Sequence, residues 1–205
     1  MSLNDQELRK QLESWWYVPR RYVDCRFSNF DAYTEALKTR LELAKRVTSE
    51  LRSALLFGPP GTGKTHLAVS IMAEWIRGES RGEFVSALRY TMQVQAAYGN
   101  PQEIVAELLY TRRFLVLDDL GTQRDNETSR TALLYLIDQF YGERKRVLIT
   151  SNLTPAELNA FEPRIMSRLT EMGTLIEMKA SDYRVKMAAQ RQKAEKSERI
   201  TVAVG

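Results

Sequence analysis

From residue 50 onward, short apolar runs alternate with longer segments in which apolar residues recur every three or four positions. The uninterrupted runs predict strands buried on both faces, and the recurring positions predict amphipathic helices. The predicted strands are 53–57, 83–88, 113–121, 146–152 and 173–178. The predicted helices are 65–76, 127–141, 163–172, a basic helix at 181–196, and two stretches separated by the Gly-Asn-Pro at 99–101.

Strand and helix alternate five times, and this order predicts an α/β fold whose five-stranded parallel sheet is sandwiched by helices. Before residue 50 no run predicts a strand. The pattern there indicates one helix over about 4–14 and a longer one over about 29–49. We therefore divide the chain into an N-terminal helical segment, residues 1–49, and an α/β core, residues 50–205, which includes the basic helix.

Composition narrows the class of protein. Of the 205 residues, 43% are hydrophobic and 27% are charged, as in ordinary globular proteins. No apolar run approaches the roughly 18 residues that cross a bilayer, and the first residues lack the apolar core of a signal peptide. The single cysteine, Cys25, cannot form an internal disulfide, which favours a cytoplasmic protein without membrane contact. The net charge of +4 permits nucleic-acid binding without indicating it.

The strongest chemical signal is GPPGTGKT, which fits the pattern G-x-x-x-x-G-K-[ST] in full between a predicted strand and a predicted helix. In such a loop the glycines let backbone N–H groups surround phosphates, the lysine reaches the β and γ oxygens, and the threonine hydroxyl binds Mg²⁺. The following helix directs its positive dipole end at the same anion. The predicted nucleotide-binding residues are Gly58, Pro59, Pro60, Gly61, Thr62, Gly63, Lys64 and Thr65.

Two carboxylates follow the apolar run of the strand 113–121. An acidic residue that ends a buried strand beside a phosphate loop holds Mg²⁺, commonly through water. The sequence suggests Asp118 for that role and Asp119 for polarising the attacking water. The alternative is that both carboxylates only cap the next loop.

Three more residues are candidates, each with a plain alternative. Asn152 closes the strand 146–152 and could orient the attacking water or contact a γ-phosphate, although an asparagine at a strand end is commonly a turn residue. Arg164 and Arg168 lie four residues apart on one helical face. Either both are simply solvated, or one is an arginine finger that neutralises charge on the γ-phosphate bound by a neighbouring subunit.

Together these residues resemble the AAA+ ATPases, and within them the DnaC/DnaI helicase loaders and the IstB transposition helpers. The matching motifs are GPPGTGKTHLA (58–68), VLDDLGT (116–122), TSN (150–152), RIMSRL (164–169) and SDYR (181–184). Upstream, PRRYVDCRFSNFD (19–31) is similar to the lead-in segment that precedes the ATPase core of this family. The histidine after Gly-Lys-Thr is typical of this branch, and it adds His66 to the predicted ATP-binding residues.

The resemblance implies a P-loop AAA+ core that binds ATP with Mg²⁺, with Thr65 and Asp118 as the metal ligands. It also implies that Asn152 is the sensor 1 residue and that Arg168, rather than Arg164, is the arginine finger. Arg184 of the SDYR motif is similar to the sensor 2 arginine, which reaches the γ-phosphate from the C-terminal helix. Subunits of such proteins join head to tail, so the resemblance implies a homo-oligomeric ring or spiral.

The aromatic segment that begins at Trp15 raises the choice between a docking arm and part of the nucleotide site. In the family the lead-in segment lies beside the nucleotide base, so we expect Tyr22 and Phe27 on the adenine side. Trp15, Trp16 and Tyr17 fall outside the family pattern. They form either a hydrophobic clasp for the first helix or a surface for a partner protein.

Three features depart from the family pattern. Asp119 stands where most AAA+ proteins have glutamate, and its shorter side chain leads us to expect slow hydrolysis and a switch-like use of ATP. The sequence ends after one basic helix, so we expect a minimal or absent C-terminal lid. The segment before residue 18 is too short for the N-terminal domain with which loaders grip their helicase.

The preferred function is assembly on single-stranded DNA and loading or remodelling of a replicative helicase. The candidate DNA contacts, which could equally be ordinary solvated positions, are Arg89, Tyr90, Arg124 and Arg130. An alternative is an IstB-like ATPase that assembles on duplex DNA and helps a transposase. A third hypothesis is a nucleotide-dependent binding module with negligible turnover.

Overall fold

The five apolar runs pair edge to edge into one sheet in which every neighbouring pair is parallel. The computed structural model describes residues 3–14, 17–78, 81–98, 100–180, 182–183, 185, 187–188 and 192. The strands are β1 (Ser53–Phe57), β2 (Gly82–Ser86), β3 (Phe114–Leu120), β4 (Arg146–Ser151) and β5 (Gly173–Glu177). Their order across the sheet is β2-β3-β4-β1-β5, so the strand that precedes the glycine-rich loop lies between β4 and β5.

Helices connect the strands as the pattern predicted, with small shifts at their ends. The helices are α1 (Asp5–Ser14), α2 (Glu35–Ser49), α3 (Lys64–Arg77), α4 (Ala87–Ala96), α5 (Gln102–Thr111), α6 (Glu127–Gly142), α7 (Pro155–Phe161) and α8 (Pro163–Met172). The basic helix predicted for 181–196, and with it the question of a lid, falls mostly outside the described residues. No helix among the described residues is both long and apolar enough to cross a membrane.

Two element ends differ from the predictions because capping side chains set them. The predicted helix 29–49 begins only at Glu35, because the Thr34 side chain accepts the N–H of Leu37, and a short 3₁₀ helix occupies Phe27–Asn29. The predicted strand 83–88 ends at Ser86, whose side chain accepts the N–H of Arg89 and starts α4.

Alternate residues of the sheet enter two separate hydrophobic clusters, as the two-residue period of a strand requires. Ala54 and Leu56 of β1 face a cluster that includes α1, α2 and α3, whereas Leu55 and Phe57 face one that includes α4, α6 and α8. β1 and β4 are buried along almost their whole length. The sheet therefore has helices on both faces, which confirms the predicted sandwich.

The N-terminal segment packs directly on the core. Leu8 and Leu12 of α1 are fully buried in the same cluster as the apolar face of α3. The indole N–H of Trp75 in α3 donates to the backbone oxygen of Thr48 in α2 at 3.1 Å. Residues 3–14 and 17–49 therefore share a hydrophobic core with the sheet.

The sequence analysis did not predict helix α7. Thr154 accepts the N–H of Glu157, while the Glu157 side chain accepts the N–H and hydroxyl of Thr154, which forms a capping box with Pro155 at the first helical position. The pattern Thr-Pro-Ala-Glu carries this signal. The helix escaped prediction because it spans only seven residues, of which Leu158 is the buried one.

We expect Thr154→Ala to lower the free energy of unfolding by about 1 kcal/mol, because it removes the side-chain acceptor at the N-cap of α7. Urea denaturation followed by circular dichroism would measure the loss. Thr39→Ala is the matched control, since Thr39 is exposed inside α2, where alanine is a good helix former. Equal losses in the two variants would contradict the capping role.

Candidate functional site

The glycine-rich loop turns sharply between β1 and α3 because its glycines adopt left-handed or related backbone angles. Gly58, Gly61 and Gly63 have φ values of 136°, 72° and 93°. These angles are costly for residues with a side chain. The loop leads straight into α3, whose first residue is Lys64. The first N–H groups of α3, which have no partner within the helix, therefore lie beside the loop.

The Lys64 ammonium group joins the loop to the end of β4. It donates to the backbone oxygens of Gly58 and Pro59 and to Oδ1 of Asn152, each at 2.8 Å. Lys64 is only 5% exposed, so these acceptors stabilise a buried charge. The structure thereby brings together two residues that are 88 positions apart in sequence.

One oxygen of the Asp118 carboxylate accepts hydrogen bonds from two hydroxyl groups. Thr65 Oγ1 donates to Asp118 Oδ1 at 2.9 Å, and Thr150 Oγ1 donates to the same atom at 2.7 Å. Burial raises the pKa of Asp118, and the Thr150 hydrogen bond opposes that rise. The first turn of α3 and the ends of β3 and β4 therefore converge on one acidic group.

A β-bulge in β3 separates the two adjacent carboxylates. Leu117 pairs with Ile149, but Leu120 pairs with Ser151, so β3 has one more residue than β4 across this interval. Asp119 takes a positive φ of 56°, which aspartate tolerates better than most residues. Its N–H donates to Thr150 Oγ1 at 2.9 Å instead of to a backbone oxygen.

The loop lines a cleft of about 330 Å³. At one end lie the loop with Lys64, Thr65, Asp119 and Asn152. At the other end the cleft is lined by residues of the lead-in segment and the start of α2, namely Arg21, Tyr22, Cys25, Asn29, Phe30, Asp31, Tyr33 and Leu37. Three of these eight residues, Tyr22, Phe30 and Tyr33, are aromatic, so this part of the lining is called the aromatic end. Ligand pockets commonly combine apolar and aromatic side chains with a few polar groups.

The segment after β5 closes part of this cleft. The N–H of Met178 donates to Phe57 O at 2.7 Å, and the N–H of Tyr183 donates to Gly61 O at 3.0 Å. The Tyr183 ring stacks on Tyr33, with centroids 6.2 Å apart and planes 25° apart. Arg184, the predicted sensor 2 residue, lies outside the described residues.

His66 ties α3 to the lead-in segment. Its Nε2 lies 3.0 Å from the backbone oxygen of Arg26, and since a carbonyl only accepts, Nε2 carries the proton. The Phe30 ring meets the imidazole edge to face at 5.2 Å. Burial lowers the pKa of His66, and the hydrogen bond to Arg26 partly opposes this. A neutral imidazole therefore links the polar and aromatic ends of the cleft.

The structure places two predicted residues differently from expectation. Tyr22 and Phe27 both pack against the hydrophobic cluster on the α3 side, but of the two only Tyr22 also lines the cleft. Tyr90 was expected at a DNA surface, but it is 0% exposed and its hydroxyl donates to the Ala132 backbone oxygen at 3.0 Å. The Tyr90 ring is buried on the core side of α4. The sequence around Tyr90 did not reveal that this side chain is buried.

The remaining predicted arginines lie on the surface, away from the lining of the cleft. Arg89 is exposed on α4, with its guanidinium 5.0 Å from the centre of the Tyr17 ring, while Trp15 and Trp16 lie outside the described residues. Arg124 is exposed in the loop after β3. Arg130 at the start of α6 forms two hydrogen bonds with Asp125 at 2.5 and 2.7 Å.

Arg164 and Arg168 have different partners on α8. Arg164 pairs with Glu162, the residue that caps the same helix. Arg168 donates from Nε to Oδ1 of Asp138 on α6 and lies over the Tyr141 ring, 5.4 Å from its centre. Neither arginine lines the cleft.

Sequence reasoning missed Thr150, Tyr33 and Tyr183. Thr150 could have been found from the sequence. It stands two residues before Asn152 at the end of a buried strand, and residues two apart in a strand lie on the same face of the sheet. The tyrosines could not, because the pairing of residues 150 positions apart depends on how the chain returns after β5.

A parallel sheet with this loop between β1 and α3, and an acidic residue at the end of β3, defines a P-loop NTPase of the AAA+ class. The profile of the IstB-like ATP binding protein family matches residues 29–192. The chain therefore belongs to that family.

One similar protein is named as a replication initiator and another as an insertion sequence protein. The chain is 29% identical over 150 residues to the chromosomal replication initiator protein DnaA of Clavibacter sepedonicus, covering 72% of this chain and 31% of that protein. It is 33% identical over 141 residues to an insertion sequence ATP-binding protein of Sinorhizobium fredii, covering 65% of this chain and 47% of that protein. The chain thus spans less than half of either relative.

Solved structures share the fold. The DnaC helicase loader superposes with a TM-score of 0.70 at 24% identity, covering 78% of this chain and 100% of that one. The replication initiator DnaA bound to AMPPCP and single-stranded DNA superposes with a TM-score of 0.67 at 22% identity, covering 87% of this chain and 56% of that one. These likenesses establish the fold.

We expect the chain's single histidine, His66, to titrate below the usual value of about 6.5, because burial disfavours its charged form. The folded protein then binds fewer protons than the unfolded chain in this range, so the free energy of unfolding falls as the pH drops through about 6.5. Proton NMR of the imidazole would measure the pKa without assignment ambiguity.

His66→Gln is the matched control, because glutamine keeps an N–H donor but does not titrate. The free energy of unfolding is measured by urea denaturation at about pH 7.5 and about pH 5.5. Lowering the pH between these values should reduce it more in the wild type than in the variant. The same loss in both proteins, or a pKa above the usual value, would contradict a neutral buried imidazole.

Proposed function

We propose that the cleft binds and hydrolyses ATP with Mg²⁺. The observation that carries this proposal is the convergence on the phosphate loop of Asn152, which accepts from Lys64, and Asp118, which accepts from Thr65. The loop N–H groups and Lys64 would hold the phosphates, while the aromatic end beside Tyr22 would take the base. The remaining residues of the loop 58–65, together with His66 in α3, complete the proposed phosphate end.

The residues fit a magnesium ion that is bound together with ATP. Mg²⁺ prefers oxygen ligands and is commonly held by one or two protein groups plus phosphate oxygens and water. Thr65 Oγ1 and the Asp118 carboxylate, which now contact each other, are oxygen ligands of that kind. Within the described ranges no cluster of three or more His, Cys, Asp or Glu could hold a metal ion.

Asp119 and Asn152 are the proposed groups for the attacking water. Both line the cleft, and the bulge aims Asp119 differently from Asp118. The Asp119 carboxylate would orient and polarise the water, and the Asn152 amide would contact the γ-phosphate. The short Asp119 side chain supports slow hydrolysis, with ATP used chiefly as an assembly switch.

Hydrolysis in this proposal depends on a neighbouring subunit. Arg168 is turned away from the cleft of its own chain, which suits a finger that acts in trans on the next subunit of a ring or spiral. Arg164 is the weaker candidate, because Glu162 already engages it through two nitrogens. The resemblance extends the proposal to Arg184 as the sensor 2 residue.

We expect Arg168→Ala to bind ATP but lose turnover, and Lys64→Ala to lose ATP binding itself. In a mixture, Arg168→Ala subunits provide intact phosphate loops and Lys64→Ala subunits provide fingers, so partial activity should return. Phosphate release from the separate and mixed variants measures this, and equal melting temperatures would show that both variants fold. No recovery in the mixture would mean that the finger acts in cis or that another arginine serves.

The proposed biological role is assembly on single-stranded DNA and loading or remodelling of a replicative helicase. The fold shared with a helicase loader and with an initiator bound to single-stranded DNA supports it. Arg89, Arg124 and Arg130 are the proposed DNA contacts, because they lie on the surface after β2 and β3. Arginines of this kind bind the phosphate backbone with little sequence preference.

The second candidate is an ATPase that assembles on duplex DNA and helps a transposase. The family match and the relative named as an insertion sequence ATP-binding protein favour it specifically. Both candidates share the ATP site, so they differ only in the form of DNA and in the partner protein.

We expect ATP turnover to be stimulated several-fold by single-stranded DNA and much less by duplex of the same sequence. Binding measured by fluorescence anisotropy should weaken strongly between roughly 50 and 200 mM salt, because phosphate contacts release counterions. Preferential stimulation by duplex would shift the proposal to the transposase helper. Unchanged affinity across the salt range would exclude backbone contacts by the arginines, and the absence of turnover with either DNA would leave a passive binding module.

A further inference from the structure

Arg168 on α8 is held from one side by α6. Its Nε donates to Oδ1 of Asp138, and its NH1 lies 3.4 Å from the backbone oxygen of Arg164, at the limit of a hydrogen bond. The Tyr141 ring lies beneath the guanidinium, with its centre 5.4 Å from the guanidinium carbon. The guanidinium plane is therefore fixed by a carboxylate at its Nε edge and by an aromatic face.

Two other arginine pairs on the same side of the sheet provide a comparison. Arg130 uses Nε and NH2 on the two oxygens of Asp125, at 2.5 and 2.7 Å. Arg164 uses Nε and NH2 on the two oxygens of Glu162, at 2.8 and 3.2 Å. Among the described residues, Asp138 contacts Arg168 through Nε alone. The two terminal nitrogens, which form the fork that grips phosphate oxygens, are not engaged by the Asp138 carboxylate.

The carboxylate itself stands on a rigid support. Ile137, next to Asp138 in α6, and Leu169, next to Arg168 in α8, are buried in one hydrophobic cluster. Asp138 thus belongs to a helix that is fixed against α8, whereas Glu162 and Arg164 lie on the same short turn at the start of α8. A charged group on a packed helix can define the direction of a long side chain more sharply than a group on a turn.

We propose that Asp138 is a positioning residue for the arginine finger: it holds Arg168 by Nε so that the terminal nitrogens face a neighbouring subunit's γ-phosphate. This inference rests on the proposed role of Arg168 in trans. An arginine without the contact would have to select one rotamer from many at each assembly step, so preorganisation should act on turnover rather than on ATP affinity.

The test measures kcat and KM for ATP of the full chain at saturating DNA. We expect Asp138→Ala to lower kcat about tenfold with little change in KM, since the ATP site of the same subunit is intact. Asp138→Asn, which keeps an oxygen acceptor for Nε, should retain most of the rate. Glu162→Gln is the matched control, because it weakens an arginine pair on the same helix while keeping a capping acceptor, and its kcat should equal wild type.

A double variant distinguishes positioning from an independent effect. Because Arg168→Ala is expected to lose turnover, the double variant is compared with Arg168→Ala by assembly, where adding Asp138→Ala should cause no further loss, since no finger is left to position. Mixing Asp138→Ala with Lys64→Ala subunits should restore activity, since the latter carry a normal Asp138–Arg168 pair. Assembly with ADP and aluminium fluoride, followed by sedimentation, gives a second readout that does not require turnover.

Each outcome bears on one of the two proposals. Loss of kcat in Arg168→Ala but not in Asp138→Ala overturns the positioning role and leaves the finger standing. A faster Asp138→Ala also overturns it, because Asp138 would then restrain the finger instead of presenting it. If Arg168→Ala affects neither turnover nor the aluminium fluoride assembly, the finger itself is wrong and the role of Asp138 is overturned with it.

Discussion

The buried ammonium of Lys64 constrains the rest of the site, because a charge that is 5% exposed must find acceptors within the protein. Its acceptors among the described residues include two backbone oxygens of the loop and one amide oxygen at the end of β4. The loop can therefore close only if β1 and β4 are neighbours whose carboxyl ends lie at one edge of the sheet. The strand order provides this, since β1 lies between β4 and β5.

The second constraint is the pair of hydroxyl groups on Asp118. Thr150 donates to the Asp118 carboxylate while accepting the backbone N–H of Asp119, so one threonine contacts both acidic residues. The bulge makes this possible, because it frees the N–H of Asp119 from the backbone ladder. An unbulged strand would place successive side chains on opposite faces, and the two acids would not be arranged around Thr150 in this way.

Much of the fold was predictable because its information is local. Apolar runs gave β1 and β3–β5 to within one or two residues, β2 with a two-residue overrun at its end, and the phosphate loop gave the position of Lys64 and Thr65. What escaped was non-local: the burial of Tyr90, the packing of Phe27 and the pairing of Tyr33 with Tyr183. An isolated tyrosine fits a surface or a core equally well until its neighbours in space are known.

The bulge in β3 also left no mark in the sequence. The run from Phe114 to Leu120 reads as a regular buried strand, and only pairing with β4 reveals the extra residue. The contact of Asp138 with Arg168 is of the same kind, since the two residues lie 30 positions apart on separate helices. The sequence could indicate the residues that are proposed to carry the chemistry, but the residues that contact them were visible only in the folded chain.

Two separate parts of the chain contact the phosphate loop, one before β1 and one after β5, and they tie the site to both flanks of the core. A side chain at Gly63 would meet the Phe30 ring at 2.6 Å, and one at Gly61 would meet the Asp182 carboxylate at 1.8 Å. Phe30 belongs to the lead-in segment, and Asp182 follows β5. A rearrangement of the loop would therefore meet a residue of each segment. Tyr33, two residues after the lead-in segment, stacks on Tyr183, the residue after Asp182, and both rings line the cleft, so the same two flanks of the core also meet there.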